Sequence, residues 1–297
     1  MASILRVQKW RKVQFCRDFM IRHKLAFSQI DLKSLQVQAA GGGISNLSLI
    51  WSCKTIAGQP VKYFAKIFLP IGTFWANASP LVSPAPQIYG SRSRHRFEVD
   101  IISRAQLAEL HVAVPRLILF DPIEKVMVTE YLDGVMLSDI LKQMANQKIA
   151  SEEQLEILNL CGSSVGKAHA AGFSLIDIQP SNCLWVASRK QIYFIDLEFC
   201  SRQDRRTWDV GYFFAFLTVL LPQTELARKA KEAFWKGYQS HYQPNWPDLE
   251  KTNALLLEYL PIFQTIMDIR DYTPDELFNE IFSFSVNQEV SNKNESA

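Results

Sequence analysis

Residues 169–211 read HAAGFSLIDIQPSNCLWVASRKQIYFIDLEFCSRQDRRTWDVG, and they constrain the fold more than any other stretch. A polar loop carries Asp177 and, five residues on, Asn182. A β-hairpin is predicted next, and its apolar run IYFI leads directly into Asp196 and Glu198. A hairpin returns the chain to its starting point, so these acidic residues are expected beside the loop. Two acids placed after such a run would cost stability if buried without a cation. Three carboxylates and a carboxamide gathered this way suit Mg²⁺ and a phosphoryl-transfer site. The plainer alternative for the same residues is a polar turn followed by a helix N-cap.

Composition narrows the classes. The chain has 297 residues, 48% hydrophobic and 21% charged, which suits two modest domains or two lobes of one fold. Its 32 basic and 30 acidic residues leave a formal charge of +2. No strong pull toward nucleic acid or acidic membranes is written there. The basic, aromatic start RVQKWRKVQFCRDFMIRHK reads as a solvated helix face, with contact to anionic surfaces as the alternative. Five scattered cysteines, never at metal-ligand spacing, argue against a disulfide framework or a zinc site and for a reducing interior. The N-terminus lacks the apolar core of a signal peptide. The longest apolar run, residues 210–221, is too short for about 30 Å of hydrocarbon and reads as a buried helix. A cytoplasmic protein without integral membrane contact is therefore expected.

Along the chain, residues 1–33 read as an N-terminal helical extension. Residues 34–132 read as a β-rich half: SLQVQAA, LSLIWSCKT and VKYFAKIFLP form a meander punctuated by glycines. A long loop is expected over 71–93, rich in Pro, Ser, Ala and Gly. RHRFEVDIISRAQLAEL follows as a helix, with Phe97, Ile101, Ile102, Ala105, Leu107 and Leu110 at helical spacing. Two strand-like runs, PRLILFD and EKVMVTEYL, end at Asp133-Gly134. Residues 133–288 are mainly helical around the single hairpin, and 289–297 form a disordered tail. The predicted architecture is a two-lobed α+β fold: an antiparallel sheet lobe with one key helix, then a mainly helical lobe.

Other residues could share the chemistry. Gly41, Gly42, Gly43, Ser45 and Asn46 lie between two strands and could drape backbone amides over phosphates; a flexible turn uses the same residues. Lys66 sits in the apolar strand FAKIF, and Glu98 begins an apolar helical stripe after Arg92, Arg94 and Arg96. A Lys66–Glu98 pair would aim the ammonium at phosphate oxygens; the alternative is a lysine that snorkels and a solvated glutamate. Residues 127–132 leave the β half for the helical half, and the backbone near Glu130 and Leu132 could meet an adenine edge.

In this order the motifs resemble the protein-kinase-like superfamily, most closely its aminoglycoside phosphotransferase and choline/ethanolamine kinase branch. GGGISN is similar to the glycine-rich loop, FAKIF to the strand with the ATP-binding lysine, and Glu98 to its helical partner. LIDIQPSN is similar to the catalytic loop, and IDLEF with the later DVG to the metal-binding segment. The resemblance covers about residues 38–215. It implies ATP as co-substrate, Mg²⁺ held by Asn182, Asp196 and Glu198, Asp177 as catalytic base, and a small-molecule alcohol as acceptor. It implies no nucleic acid and names no protein partner. Asp209 and His169 are implied to be structural supports of the catalytic loop. One departure matters: Leu175 and Ile176 stand where the branch has His and a small or polar residue. Alternatives on the same scaffold are a Rio-like protein kinase, a cell-envelope sugar kinase or a nucleotide-binding pseudokinase. From another class comes an α+β interaction protein with no nucleotide.

Overall fold

In β2 (Asn46–Thr55), Leu49, Trp51 and Cys53 are buried while the residues between them are only partly so. That alternation covers one sheet face with a helix, α1 (Ala2–Arg22), whose Cys16, Phe19 and Met20 complete the apolar cluster around Trp51. The computed structural model describes residues 2–42, 46–69, 91–106, 109, 111–200, 202 and 205–243. β2 lies between β1 (Ile30–Gly42) and β3 (Pro60–Phe68). β4 (Leu117–Asp121) and β5 (Val126–Glu130) complete an antiparallel sheet of order β1-β2-β3-β5-β4. The register sets Lys66 opposite Ser48 on one side and Met127 on the other, in mid-sheet.

The helix α2 (Ser91–Gln106) packs against β3, β4 and β5. Its buried side carries Arg94, His95 and Glu98 beside Val99, Ile101, Ile102 and Ala105. Phe97, expected on the apolar stripe, is 45% exposed instead. Charged residues occupy part of the inward face, so hydrophobic spacing alone misaligned the stripe. α2 also starts at Ser91, so residues 91–93 are helical and not loop; Leu107 and Leu110 lie outside the described residues. At the N-terminus the helix stops at Arg22 and β1 starts at Ile30, earlier than the expected switch after Lys33. Ile30-Asp31-Leu32-Lys33 alternates apolar and polar, the period of a strand.

The helical half begins with β6 (Val135–Met136), α3 (Leu137–Gln147) and α4 (Glu152–Ala170). α4 opens on a capping box, Ser151 and Gln154 satisfying each other's backbone amides. The hairpin of β7 (Cys183–Val186) and β8 (Gln191–Phe194) adds to β6 as a three-stranded sheet. α5 (Arg206–Leu220) and α6 (Thr224–Gln239) close the lobe. α4 and α6 approach so closely that a Cβ on Gly162 would sit 1.9 Å from the Phe234 carbonyl oxygen, and one on Gly237 1.9 Å from that of Asn159. One large core joins α2, α3, α4, α5 and α6 to the hairpin. This is the expected α+β, two-lobed architecture. No described helix is long and apolar enough to cross a membrane, and the five cysteines are free and buried.

Candidate active site

Lys66, 4% exposed, projects from β3 into a cluster of carboxylates. Its Nζ donates to Glu98 Oε2 of α2 at 2.5 Å and to Asp196 Oδ1 at 2.5 Å, with Glu198 Oε2 at 3.7 Å. Burial alone would depress the lysine; Asp196, Glu98 and Glu198 outweigh it and hold the ammonium above its ordinary value. Burial lifts Glu98 to about 7 against the pull of Lys66. Glu98, Asp196 and Glu198 each offer an oxygen within 4.8 Å of the others. Glu98 and Glu198 are buried, whereas the Asp196 side chain is 38% exposed and opens the cluster to ligand.

Sequence reasoning assigned no role to Arg94. It is fully buried on α2, one turn before Glu98. Nη1 donates to Asn46 Oδ1 at 2.8 Å and to Glu198 Oε2 at 3.2 Å, and Nη2 to the Leu69 carbonyl at 2.7 Å. Asn46 Nδ2 reaches the same Glu198 oxygen at 3.4 Å. The available signal was the four-residue spacing of Arg94 and Glu98, which puts both on one helix face. Two cations thus face three carboxylates. The remaining negative charge and the all-oxygen donor set fit a hard divalent ion.

The catalytic-loop candidate lies between α4 and β7. Asp177 is half-buried and accepts from Gln179 Nε2 at 3.2 Å, Asn182 Nδ2 at 3.1 Å and the Tyr212 hydroxyl of α5 at 3.4 Å. Burial, then the Asp196 charge, raises it from 3.8 to about 7. Asn182 Nδ2 also donates to the Asp177 carbonyl at 3.0 Å, and its own carbonyl accepts from Ile195 at 3.0 Å. These bonds tie the loop to the residue before Asp196.

Asp209, at the start of α5, holds the other side of that loop. Its Oδ2 accepts from the Leu175 amide at 2.5 Å and its Oδ1 from the Ile176 amide at 2.7 Å. His169 Nε2 lies 2.9 Å from Oδ2, and Nδ1 lies 2.9 Å from the Tyr238 hydroxyl. Since the carboxylate accepts, Nε2 carries the proton, and in the neutral ring Nδ1 accepts from Tyr238. Both residues support the loop, as the resemblance implied. Leu175, 3% exposed, belongs to the main core. Ile176 has φ +68° and Asp196 φ +59°, left-handed conformations that a β-branched residue rarely adopts.

The remaining sequence candidates divide. Gly41 and Gly42 end β1, Asn46 starts β2, and Gly43 and Ser45 lie outside the described residues. Asn46 is turned toward Arg94 and Glu198. Glu130 and Leu132 lie at the passage between the halves. The Glu130 carboxylate is bound to Arg189 Nη2 at 2.9 Å and to the Arg116 amide at 3.0 Å. The aromatic residues Trp208, Phe213, Trp235 and Tyr238 of α5 and α6 are at most 2% exposed and are core.

An antiparallel sheet with a Lys–Glu pair to the helix α2 packed on it, followed by a helical half with an Asp-bearing loop and hairpin, defines a protein-kinase-like molecule. Residues 90–238, half of the chain, match the model of the lipopolysaccharide kinase (Kdo/WaaP) family. The chain belongs to that family. KEOPS complex subunit Bud32 of Pyrococcus abyssi is 32% identical over 99 residues, 33% of this chain. The chain matches only 41% of that relative's length. A solved structure, WaaP in complex with acyl carrier protein, aligns over 80% of this chain and 90% of its own at 17% identity and a TM-score of 0.46. The comparisons support the superfamily expected from the motifs and not its aminoglycoside and choline branch.

Proposed function

We propose that the protein transfers the γ-phosphate of ATP to a hydroxyl of a cell-envelope sugar of the lipopolysaccharide type, with Mg²⁺, in the cytoplasm. The observation that carries this reading is the buried Lys66 bridging Glu98 and Asp196 beside Asp177. Lys66, oriented by Glu98, would hold the phosphates of ATP. The backbone near Glu130 and Leu132 would meet the adenine, and Gly41, Gly42, Gly43 and Ser45 would cover the phosphates. Asp196, Glu198 and Asn182 would hold the metal, whose charge offsets that of the phosphates in the transition state. Asp177 would orient the acceptor hydroxyl and take its proton as the oxygen bonds to γ-phosphorus and ADP leaves. With Asp177 lifted to about 7, a proton-accepting carboxylate near neutral pH is chemically apt. Leu175 packs in the core and makes none of the bonds to Asp177, so a leucine where the aminoglycoside and choline branch has histidine leaves Asp177 and its hydrogen bonds in place.

The domain limits that accompany this reading are 1–33 as an extension, 34–132 for nucleotide, 133–288 for catalysis and acceptor, and 289–297 as a tail. The test is transfer of labelled γ-phosphate by purified protein to a panel of lipopolysaccharide, free sugars, aminoglycosides and choline or ethanolamine, with and without EDTA. EDTA-sensitive labelling of the sugar acceptors supports the proposal. Labelling confined to the amines would restore the branch first suggested by the motifs. Labelling of no acceptor, with nucleotide bound, would leave a pseudokinase.

A further inference from the structure

We infer that Arg94 is a positioning residue for the metal–nucleotide site, an inference that rests on the reading of that site as a kinase centre. Its partners are what distinguish it from an arginine buried for structure alone. All its described hydrogen bonds run to groups that frame the site: Asn46 at the start of β2, Leu69 at the end of β3, and Glu198 beyond Asp196. Three segments far apart in sequence thus meet on one planar guanidinium, whose fork makes bonds in fixed directions. Arg94 also lies over the Phe68 ring at 5.7 Å, the same ring that Lys66 approaches at 5.0 Å.

The consequence falls on Asp196. Its backbone is left-handed and its side chain is the open one of the cluster. Ile195 on one side is held by the Asn182 carbonyl, and Glu198 on the other by Arg94. Between two anchors the Asp196 carboxylate keeps one direction. Without Arg94, Glu198 would be a buried acid served by Asn46 at 3.4 Å and Lys66 at 3.7 Å. Lys66 would then be drawn from Glu98 and Asp196 toward it. Arg94 therefore keeps Lys66 for the nucleotide and Asp196 for the metal. It also fastens α2 at a second point one turn from Glu98, so the helix cannot swing away while only one of the pairs breaks.

The experiment is binding of a fluorescent ATP analogue to the full chain, titrated with Mg²⁺ and repeated in EDTA, with the melting temperature measured in parallel. Arg94→Lys keeps the charge and loses the fork. It should raise the Mg²⁺ concentration for half-maximal binding about tenfold, and change metal-free binding about twofold or less. A purely structural arginine would lower the melting temperature and leave the Mg²⁺ midpoint of the folded protein where it was; that result overturns the inference. Should Arg94→Lys fail to fold, Asn46→Ser decides, because it removes one arm of the same network. A shift of its Mg²⁺ midpoint in the same direction supports the inference, and an unmoved midpoint overturns it. A wild type that binds no nucleotide with Mg²⁺ would sink the kinase-centre reading itself, and this inference with it.

Discussion

Asp209→Asn is a one-atom perturbation whose cost can be worked from the geometry. The side chain is fully buried, and both oxygens accept from backbone amides of the catalytic loop. The asparagine NH₂ must replace one of them. Placed at Oδ1 it faces the Ile176 amide, a donor against a donor. Placed at Oδ2 it faces the Leu175 amide and His169 together, and a change of imidazole tautomer relieves only the second conflict. Either way one buried N–H loses its acceptor, at about 1–3 kcal/mol, and the surviving bonds lose their charge assistance. The orphaned N–H together with the lost charge assistance of the surviving bonds costs about 3–5 kcal/mol in all. At about 2–4 °C per kcal/mol for a chain of this size, the melting temperature should fall by about 6–20 °C. Ile176 should also leave its left-handed conformation, which costs about 1–3 kcal/mol to hold, and turnover should fall with it. Thermal unfolding followed by circular dichroism, beside labelled-phosphate transfer, reads both effects. Tyr238→Phe is the graded control, since it removes only the outer bond of His169 and should cost about 1 kcal/mol. A drop of less than about 2 °C with unchanged turnover in Asp209→Asn would refute the reasoning.

Asp177→Asn should bind ATP yet lose about 10²–10⁴ in turnover, the usual effect of a missing general base. The stability effect has the opposite sign. Asp177 is raised from 3.8 to about 7, so the folded state binds the proton more tightly than the unfolded one. That stabilisation is full below about pH 4 and is lost as pH rises through about 7. Melting curves at the two ends should therefore show Asp177→Asn above wild type at pH 8 and level with it at pH 4. Lys66→Ala and Glu98→Ala should each weaken nucleotide binding, with the double mutant far from additive; independent effects in the cycle would show that the pair does not act as a unit. Asp196→Asn should abolish transfer in a folded protein, and full activity would remove the metal assignment.

Much of this was legible because local pattern and tertiary role agree. Lys66 in FAKIF is a charged residue where the strand pattern asks for an apolar one, and Asp196 and Glu198 follow the apolar run IYFI almost at once. Such violations mark sites. The same logic failed on α2. There the inward face mixes Arg94, His95 and Glu98 with Ile101 and Ile102, so spacing of apolar residues pointed to Phe97. Arg94 was invisible for a related reason: its partners at 46, 69 and 198 lie in three segments, and no local rule couples them. The reading of Asn46 as part of a phosphate cradle concerned its backbone and left its side chain without a role. Its inward turn depends on a guanidinium supplied from a distant helix. The start of β1 was missed where a helical pattern gives way to the alternation of Ile30 and Leu32, a boundary of the kind that propensity places poorly.

The glycine contact between α4 and α6 reaches farther than packing. Tyr238 follows Gly237 directly, and His169 ends the helix that carries Gly162 and Gly166. The spacing of two helix backbones thus sets how far a phenol stands from an imidazole, and so where a carboxylate grips the loop that bears Asp177. A single methyl at Gly162 or Gly237 would act as a wedge between two beams, opening that gap from the far end. The alignment of the catalytic loop is a tolerance ground into a joint where no side chain fits.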